Sequence, residues 1–217
     1  MKRNPIHLNL IIVLVLMALG ALTAARADGL PSWNEGPSRA AIVDFVADVT
    51  DAGGSNFVPP SERVAVFDND GTLWAEQPLY FQAIYMFDRI NSLAPEHPEW
   101  KTEEPYASVL KGDYKAALAG GGEPLLKMAA ATHAGITAEE FNQSVRTWIS
   151  TARHPKTNRP YNEMVYQPML EALNYLRAND FKTFIVSGGG IDFMRVFAEE
   201  TYGIPPEQII GSSIKAG

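Results

Sequence analysis

Apolar residues recur along the chain in two rhythms. Over Ser38–Val49, Ile42, Phe45, Val46 and Val49 fall three and four apart, a spacing that predicts an amphipathic helix. Arg63-Val64-Ala65-Val66-Phe67 is instead a short apolar run without polar alternation. It predicts a strand buried on both faces, as in a parallel sheet. The run stops at Asp68-Asn69-Asp70-Gly71-Thr72. A second run, Thr183-Phe184-Ile185-Val186, ends in Ser187-Gly188-Gly189-Gly190. Ahead of it a helix is predicted over about 166–176, closed by an Asn179-Asp180 turn. Behind it another is predicted over 191–202, with Gly203 in a helix-stopping place. Gln208-Ile209-Ile210 predicts a third strand. Helix, strand, loop, helix, strand is the cadence of an α/β protein: a Rossmann-like parallel sheet flanked by helices.

The first two strands are separated by more than a hundred residues, too many for one crossover helix. Within them Tyr80–Leu93, Tyr106–Leu118 and Leu125–His133 carry helical spacing, the last two parted by Gly120-Gly121-Gly122. Thr137-Ala-Glu-Glu140 is a capping box opening a helix through Phe141, Val145 and Trp148. The organisation expected is therefore an α/β core over 28–77 and 160–217 carrying a helical insertion over 78–159. Pro31–Gly36 reads as an irregular lead-in.

The first 27 residues behave differently. Lys2 and Arg3 lead into an apolar run from Leu10 to Leu22, then Ala25-Arg26-Ala27, the pattern of a cleavable signal peptide. The apolar core is shorter than the roughly 20 residues that span a bilayer. Cleavage after Ala27 leaves Asp28–Gly217, and the expected location is periplasmic or secreted, with no stable membrane association after cleavage. The 217 residues carry 18 Lys+Arg against 25 Asp+Glu, a net charge of −7, so a basic footprint for nucleic acid is missing. Without any Cys, thiol chemistry and cysteine-ligated zinc are excluded, and the fold has no covalent staples in an oxidising compartment.

The candidate chemistry lies where the first strand ends. Asp68 and Asp70 are two like charges, two residues apart, at the carboxyl end of a buried strand, where open α/β sheets place their ligands. Such a pair is unfavourable unless a cation or a donor cluster neutralises it. The arrangement predicts a divalent ion with oxygen ligands, Mg²⁺ being the best match. An EF-hand does not fit: with Gly71 at its sixth position, Val66 and Gln77 stand where Asp and Glu are required. A plain polar turn is the alternative, since Asp, Asn and Gly all favour turns. The apolar residues before the pair and Thr72-Leu73-Trp74 after it weigh against that. Ser187-Gly188-Gly189-Gly190 offers a hydroxyl and free backbone N–H groups at a helix start, suited to an anion.

In these two stretches the sequence resembles the haloacid dehalogenase-like hydrolase superfamily, in its phosphatase branch with a helical cap, similar to phosphoserine phosphatases. Phe67-Asp68-Asn69-Asp70-Gly71-Thr72 matches the first motif of that family, and Ile185-Val186-Ser187-Gly188-Gly189 the second. The resemblance implies that Asp68 is the nucleophile that forms an aspartyl-phosphate and that Asp70 is the general acid/base. It implies that Ser187 holds a phosphoryl oxygen, with Gly188, Gly189 and Thr72 in the substrate-binding set. It implies Mg²⁺ on Asp68 and Asp70 and a small phosphorylated substrate. An insertion directly after the first motif occupies the slot of the family's cap. Asp70, where dehalogenases and phosphonatases need no acid, implies a phosphatase.

The family's third motif, a Lys, and its fourth, an acidic cluster completing the metal site, have no match after Ser187. Glu199-Glu200 fall in a predicted helix, and Lys215 is a poor candidate so near the last residue. The expectation is an amino-terminal portion of a longer phosphatase, its C-terminal strands missing and its activity low or lost. A different class of reading is a non-catalytic phosphate- or partner-binding module on a degenerate fold of this kind. A phospho-receiver domain also takes phosphate on a strand-end Asp, but a large helical insertion after that Asp is out of place there. His97, His133 and His154 read as surface or capping residues. Arg153, Lys156 and Arg159 read as a solvated face, and Tyr80, Phe81, Tyr85 and Phe87 as packing.

Overall fold

The computed structural model describes residues 29–213; the signal segment predicted over 1–27 and Lys215 lie outside the described residues. In chain order the elements are α1 (Pro37–Thr50), β1 (Val64–Phe67), α2 (Phe81–Leu93), α3 (Tyr106–Leu110), α4 (Tyr114–Ala117), α5 (Gly122–His133), α6 (Ala138–Thr151), α7 (Gln167–Arg177), β2 (Lys182–Gly190), α8 (Ile191–Arg195), α9 (Ala198–Tyr202) and β3 (Ile209–Ser212). The three strands form one parallel sheet in the order β1-β2-β3. β2 pairs with β3 through Ile185 opposite Ile209 and Val186 opposite Ile210. The pairing then slips and resumes at Gly190 opposite Ser212.

Two compact units divide the chain. The first holds the described residues up to Ala65 together with Gln167–Thr183. Pro37 starts α1 with its φ already helical, and Asp51 leaves it in an extended conformation. Val46 and Val49 of α1 pack with Leu30, Ala172, Tyr175 and Phe181 into one apolar cluster. Phe45, predicted on the same stripe, is 55% exposed. It stands at the margin of the stripe, where its ring still meets that of Phe181 at 6.4 Å between centroids. Arg63 is buried, and its guanidinium donates from Nε to the Val58 carbonyl (2.8 Å) and from Nη1 to the Asn179 carbonyl (3.0 Å). It thereby closes the loops before β1 and after α7 onto each other. The irregular lead-in is anchored too: Trp33 Nε1 donates to the Pro168 carbonyl at 2.8 Å, and the Ser32 N–H to Glu171 at 2.9 Å. Leu30, only 1% exposed, seals this cluster. Leu30→Ala is expected to cost about 2–5 kcal/mol, the range for emptying a buried leucine site, read as a lowered midpoint in urea unfolding.

The second unit holds Val66–Tyr166 and the residues from Phe184 onward, and contains all the predicted site residues. Its helices 81–151 fall inside the predicted insertion. α2 buries Phe81, Tyr85 and Phe87 as expected, whereas Tyr80 is 58% exposed. The capping box of α6 is present, with the Thr137 side chain and the Glu140 side chain each bonded to the other's backbone N–H. The helix predicted over 106–118 is broken into α3 and α4, and that over 191–202 into α8 and α9. Gly203, at φ 69°, ends α9 in the left-handed conformation. His154 does the capping foreseen for it: it is buried, its Nδ1 accepting the Lys156 and Thr157 N–H groups while Nε2 lies 2.7 Å from the Gln77 carbonyl. Among the described residues no helix is long and apolar enough to cross a membrane.

One expectation about β1 needs correcting. The strand was predicted to be buried on both faces, yet Val64 and Val66 are 54% and 58% exposed. β1 stands at the margin of the sheet, and Val186 and Ile210, partners across β2 and β3, are also exposed. A continuous apolar run therefore marks a strand without guaranteeing cover on both of its faces.

Candidate active site

The chain leaves β1 into a tight turn organised by Asn69. Its carbonyl accepts the N–H groups of Thr72 (3.2 Å), Leu73 (2.9 Å) and Trp74 (3.3 Å), while the Gly71 N–H donates to the Trp74 carbonyl at 2.9 Å. The Asn69 side chain is buried and accepts the Tyr202 hydroxyl at 3.3 Å. Gly71 sits at φ 72°. A Cβ there would stand 2.8 Å from the Glu76 carboxyl carbon, so both conformation and space demand glycine. Gly71→Ala is expected to destabilise by about 1–2 kcal/mol from the left-handed backbone alone, measured by thermal unfolding.

This turn brings Asp68 and Asp70 within electrostatic reach of each other. Asp68 is exposed at the end of β1, and its Oδ1 accepts the Asn69 N–H at 2.7 Å, which leaves Oδ2 outside that bond. Asp70 is half-buried. Its Oδ1 accepts the indole N–H of Trp74 at 2.8 Å. Trp74 has no exposed surface and stacks on Phe197 with centroids 4.6 Å apart, so that bond is held by packing. Burial raises the Asp70 pKa above the ordinary carboxylate value; the Trp74 N–H opposes this, and the charges of Asp68 and Glu76 add to it. Burial pushes the Tyr202 hydroxyl well up as well, with the Asp70 charge contributing.

The second motif comes to the same place. A Cβ on Gly189 would lie 3.6 Å from Ser187 Oγ, 3.7 Å from Asp70 Oδ2 and 3.6 Å from Gln82 Oε1. The free oxygen of Asp70 and the hydroxyl of Ser187 thus border one small space. Thr72 sits two residues past Asp70, with its N–H closed onto Asn69. Gly188 lies in the strand segment between the two, and its carbonyl accepts the Ser212 hydroxyl at 2.9 Å.

Two of the N–H groups expected to be free in the glycine run are taken. The Gly189 N–H donates to Ser187 Oγ at 3.2 Å and the Gly190 N–H to Gln82 Oε1 at 2.8 Å. The reason is that 187–189 bulge out of the ladder, and a bulge strips backbone groups of their strand partners, so nearby side chains take them. α8, which follows, has only five residues. Trp74, Gln82 and Tyr202 were not singled out from sequence for the site. Trp74 was visible only as an apolar flank of the motif, and the contacts of Gln82 and Tyr202 span 108 and 133 residues.

Of the candidate ligands for a cation, Asp68 offers a carboxylate and Asp70 a carboxylate and a backbone carbonyl. Among the described residues no group of three or more His, Cys, Asp or Glu is placed to hold a metal ion. Three of the remaining candidates have partners of their own: Arg159 pairs with Glu163 at 3.2 Å, His97 with Glu99 at 2.9 Å, and His133 stacks on Phe141.

The sequence model of the haloacid dehalogenase-like hydrolases matches residues 65–217, well over half of the chain, and the chain belongs to that family. Among solved structures it is similar to a phosphoserine phosphohydrolase-like protein from Francisella tularensis subsp. tularensis SCHU S4. The two are 21% identical over 69% of this chain and 57% of that one, with a TM-score of 0.39. The chain thus spans a little over half the length of that protein. No curated protein matches the sequence.

Proposed function

We propose that the protein is a phosphomonoester hydrolase that works through an aspartyl-phosphate on Asp68. The observation that carries this reading is the shared space bordered by Asp70 Oδ2 and Ser187 Oγ, with the Asp68 charge acting on Asp70. In the first step Asp68 Oδ2 attacks phosphorus, and the bond to the leaving oxygen breaks with its electron pair on that oxygen. Asp70, protonated, supplies the proton the leaving alkoxide needs. Its raised pKa favours that protonated state. In the second step the Asp70 carboxylate takes a proton from water, whose oxygen attacks phosphorus. The phosphorus–Asp68 bond breaks, releasing phosphate and restoring the carboxylate. Ser187 Oγ donates to a phosphoryl oxygen throughout.

Mg²⁺ would be held by the Asp68 carboxylate and the backbone carbonyl of Asp70, oxygen donors of the kind this ion takes. When bound it would neutralise phosphoryl charge. The substrate proposed is a small phosphorylated molecule. Export to the periplasm or medium is proposed on the basic start, apolar core and Ala25-Arg26-Ala27, and amino-terminal sequencing of the secreted product should begin at Asp28.

Beryllofluoride, which mimics a phosphoryl group on a carboxylate, tests the reading without requiring turnover. With Mg²⁺ it should raise the thermal midpoint of the wild-type chain and leave Asp68→Asn unchanged. Stabilisation that survives in Asp68→Asn would support instead a phosphate-binding module that makes no covalent intermediate.

A further inference from the structure

We propose that Gln82, in the first turn of α2, is a positioning residue that clamps the phosphoryl-binding bulge of β2 through the Gly190 N–H. The inference rests on the phosphatase reading of that bulge and goes beyond it by giving the insertion a part in the site.

Between the pairs Val186–Ile210 and Gly190–Ser212, β2 carries three residues and β3 one. Ser187, Gly188 and Gly189 must therefore arch away from the ladder. Two of the three are glycine, with no side chain to pack and wide backbone freedom, so such an arch has little order of its own. Three side-chain contacts supply it. Ser212 Oγ donates to the Gly188 carbonyl at 2.9 Å, Ser187 Oγ accepts from the Gly189 N–H at 3.2 Å, and Gln82 Oε1 accepts from the Gly190 N–H at 2.8 Å. The first two come from the sheet and from the bulge itself. Gln82 alone among them comes from the insertion.

The fit between Gln82 and the glycines is close. A Cβ on Gly190 would collide with the Gln82 amide nitrogen, and one on Gly189 would lie 3.6 Å from its Oε1. Glycine at 190 makes the room that the amide fills. The arm that delivers it is firm, because the flanking Phe81 and Ala83 are 0% and 6% exposed. The bonds at Gly189 and Gly190 fix Ser187 Oγ relative to Asp70 Oδ2, and a displacement of about 1 Å in such a group costs on the order of a hundredfold in rate. A shift of α2 would be passed to the bulge through this bond.

The test uses the full chain with Mg²⁺ and beryllofluoride, with the adduct followed by its fluorine NMR signal and the Gly190 amide by hydrogen exchange. Gln82→Met keeps the length of the side chain and removes the acceptor. Relative to wild type it should bind beryllofluoride at least about tenfold more weakly, shift the fluorine signal and exchange the Gly190 amide faster. Its thermal midpoint without ligand should move by no more than about 4 °C. If Gln82→Met binds beryllofluoride as wild type does, the inference is overturned and the phosphatase reading stands. Weakened binding with unchanged exchange at Gly190 overturns it too, since the clamp is then not the cause. Should Gln82→Met fail to fold, the wild-type Gly190 amide decides: protection supports the clamp and fast exchange refutes it. A wild-type chain that takes up beryllofluoride without depending on Asp68 overturns the phosphatase reading and this inference with it.

Discussion

Asp68→Asn is expected to remove whatever turnover of p-nitrophenyl phosphate the protein supports, by about a thousandfold or more. The basis is chemical. An amide oxygen is a poor nucleophile toward phosphorus, and no neighbouring group replaces it: Asp70 has one oxygen tied to Trp74 and a pKa raised by burial. Where nucleophile and acid act as a unit, loss of the nucleophile costs nearly everything the unit contributes. Asn keeps the size and shape of Asp, so the Asn69 turn should be retained and unfolding should change little. Measured beside wild type at saturating substrate and Mg²⁺, equal rates would show that the strand-end carboxylate is not the group phosphorylated.

Asp70→Asn should lower turnover by about 10²–10⁴-fold, the range for losing a general acid/base, yet make the protein more stable at neutral pH. Asp70 is partly buried beside two other carboxylates, and its folded-state pKa is raised. A raised pKa means that the folded state binds the proton more tightly than the unfolded chain does. The group's contribution is therefore favourable below its unfolded pKa and is lost as pH rises through the folded value. Asn carries no charge and can still accept the Trp74 indole N–H, so it avoids that loss. In chelator, the variant's stability advantage should be small in acid, grow as pH passes through the raised pKa and level off above it. Parallel urea titrations of both proteins across that range would show it. An advantage that is constant with pH would mean that the Asp70 charge is not what costs the stability.

The two variants together separate chemistry from folding. Asp68, at the exposed end of β1, should lose function at little structural cost. Asp70 should lose function and gain stability, because the burial that suits it to carry a proton also makes its charge expensive.

Much of the fold could be read along the chain because its signals are local. The capping box at Thr137–Glu140, the stop at Gly203 and the three strand cores all depend on residues within one or two turns of each other, where side-chain spacing and backbone preference act directly. The breaks inside 106–118 and 191–202 were harder to read. Their apolar spacing is helical throughout; at 111–113 the signal is local, Gly112 at φ 74° and Asp113 accepting the Ala116 N–H, whereas the interruption at 196–197 shows only in three dimensions. The exposed face of β1 was missed for a related reason: an apolar run records what a strand is able to bury, and cover depends on its neighbours.

The sequence by itself determined the family, the parallel strands with helices between the first two, and the acidic pair with its serine-glycine partner, because each rests on residue types in short, contiguous stretches. Only the tertiary structure decided that Trp74 holds one oxygen of Asp70, that Tyr202 anchors Asn69, and that the Gly190 N–H belongs to Gln82 and not to an anion. Those are hydrogen bonds made by backbone groups and side chains that a strand bulge and a tight turn leave without regular partners, and which group answers each one is settled by packing across the chain.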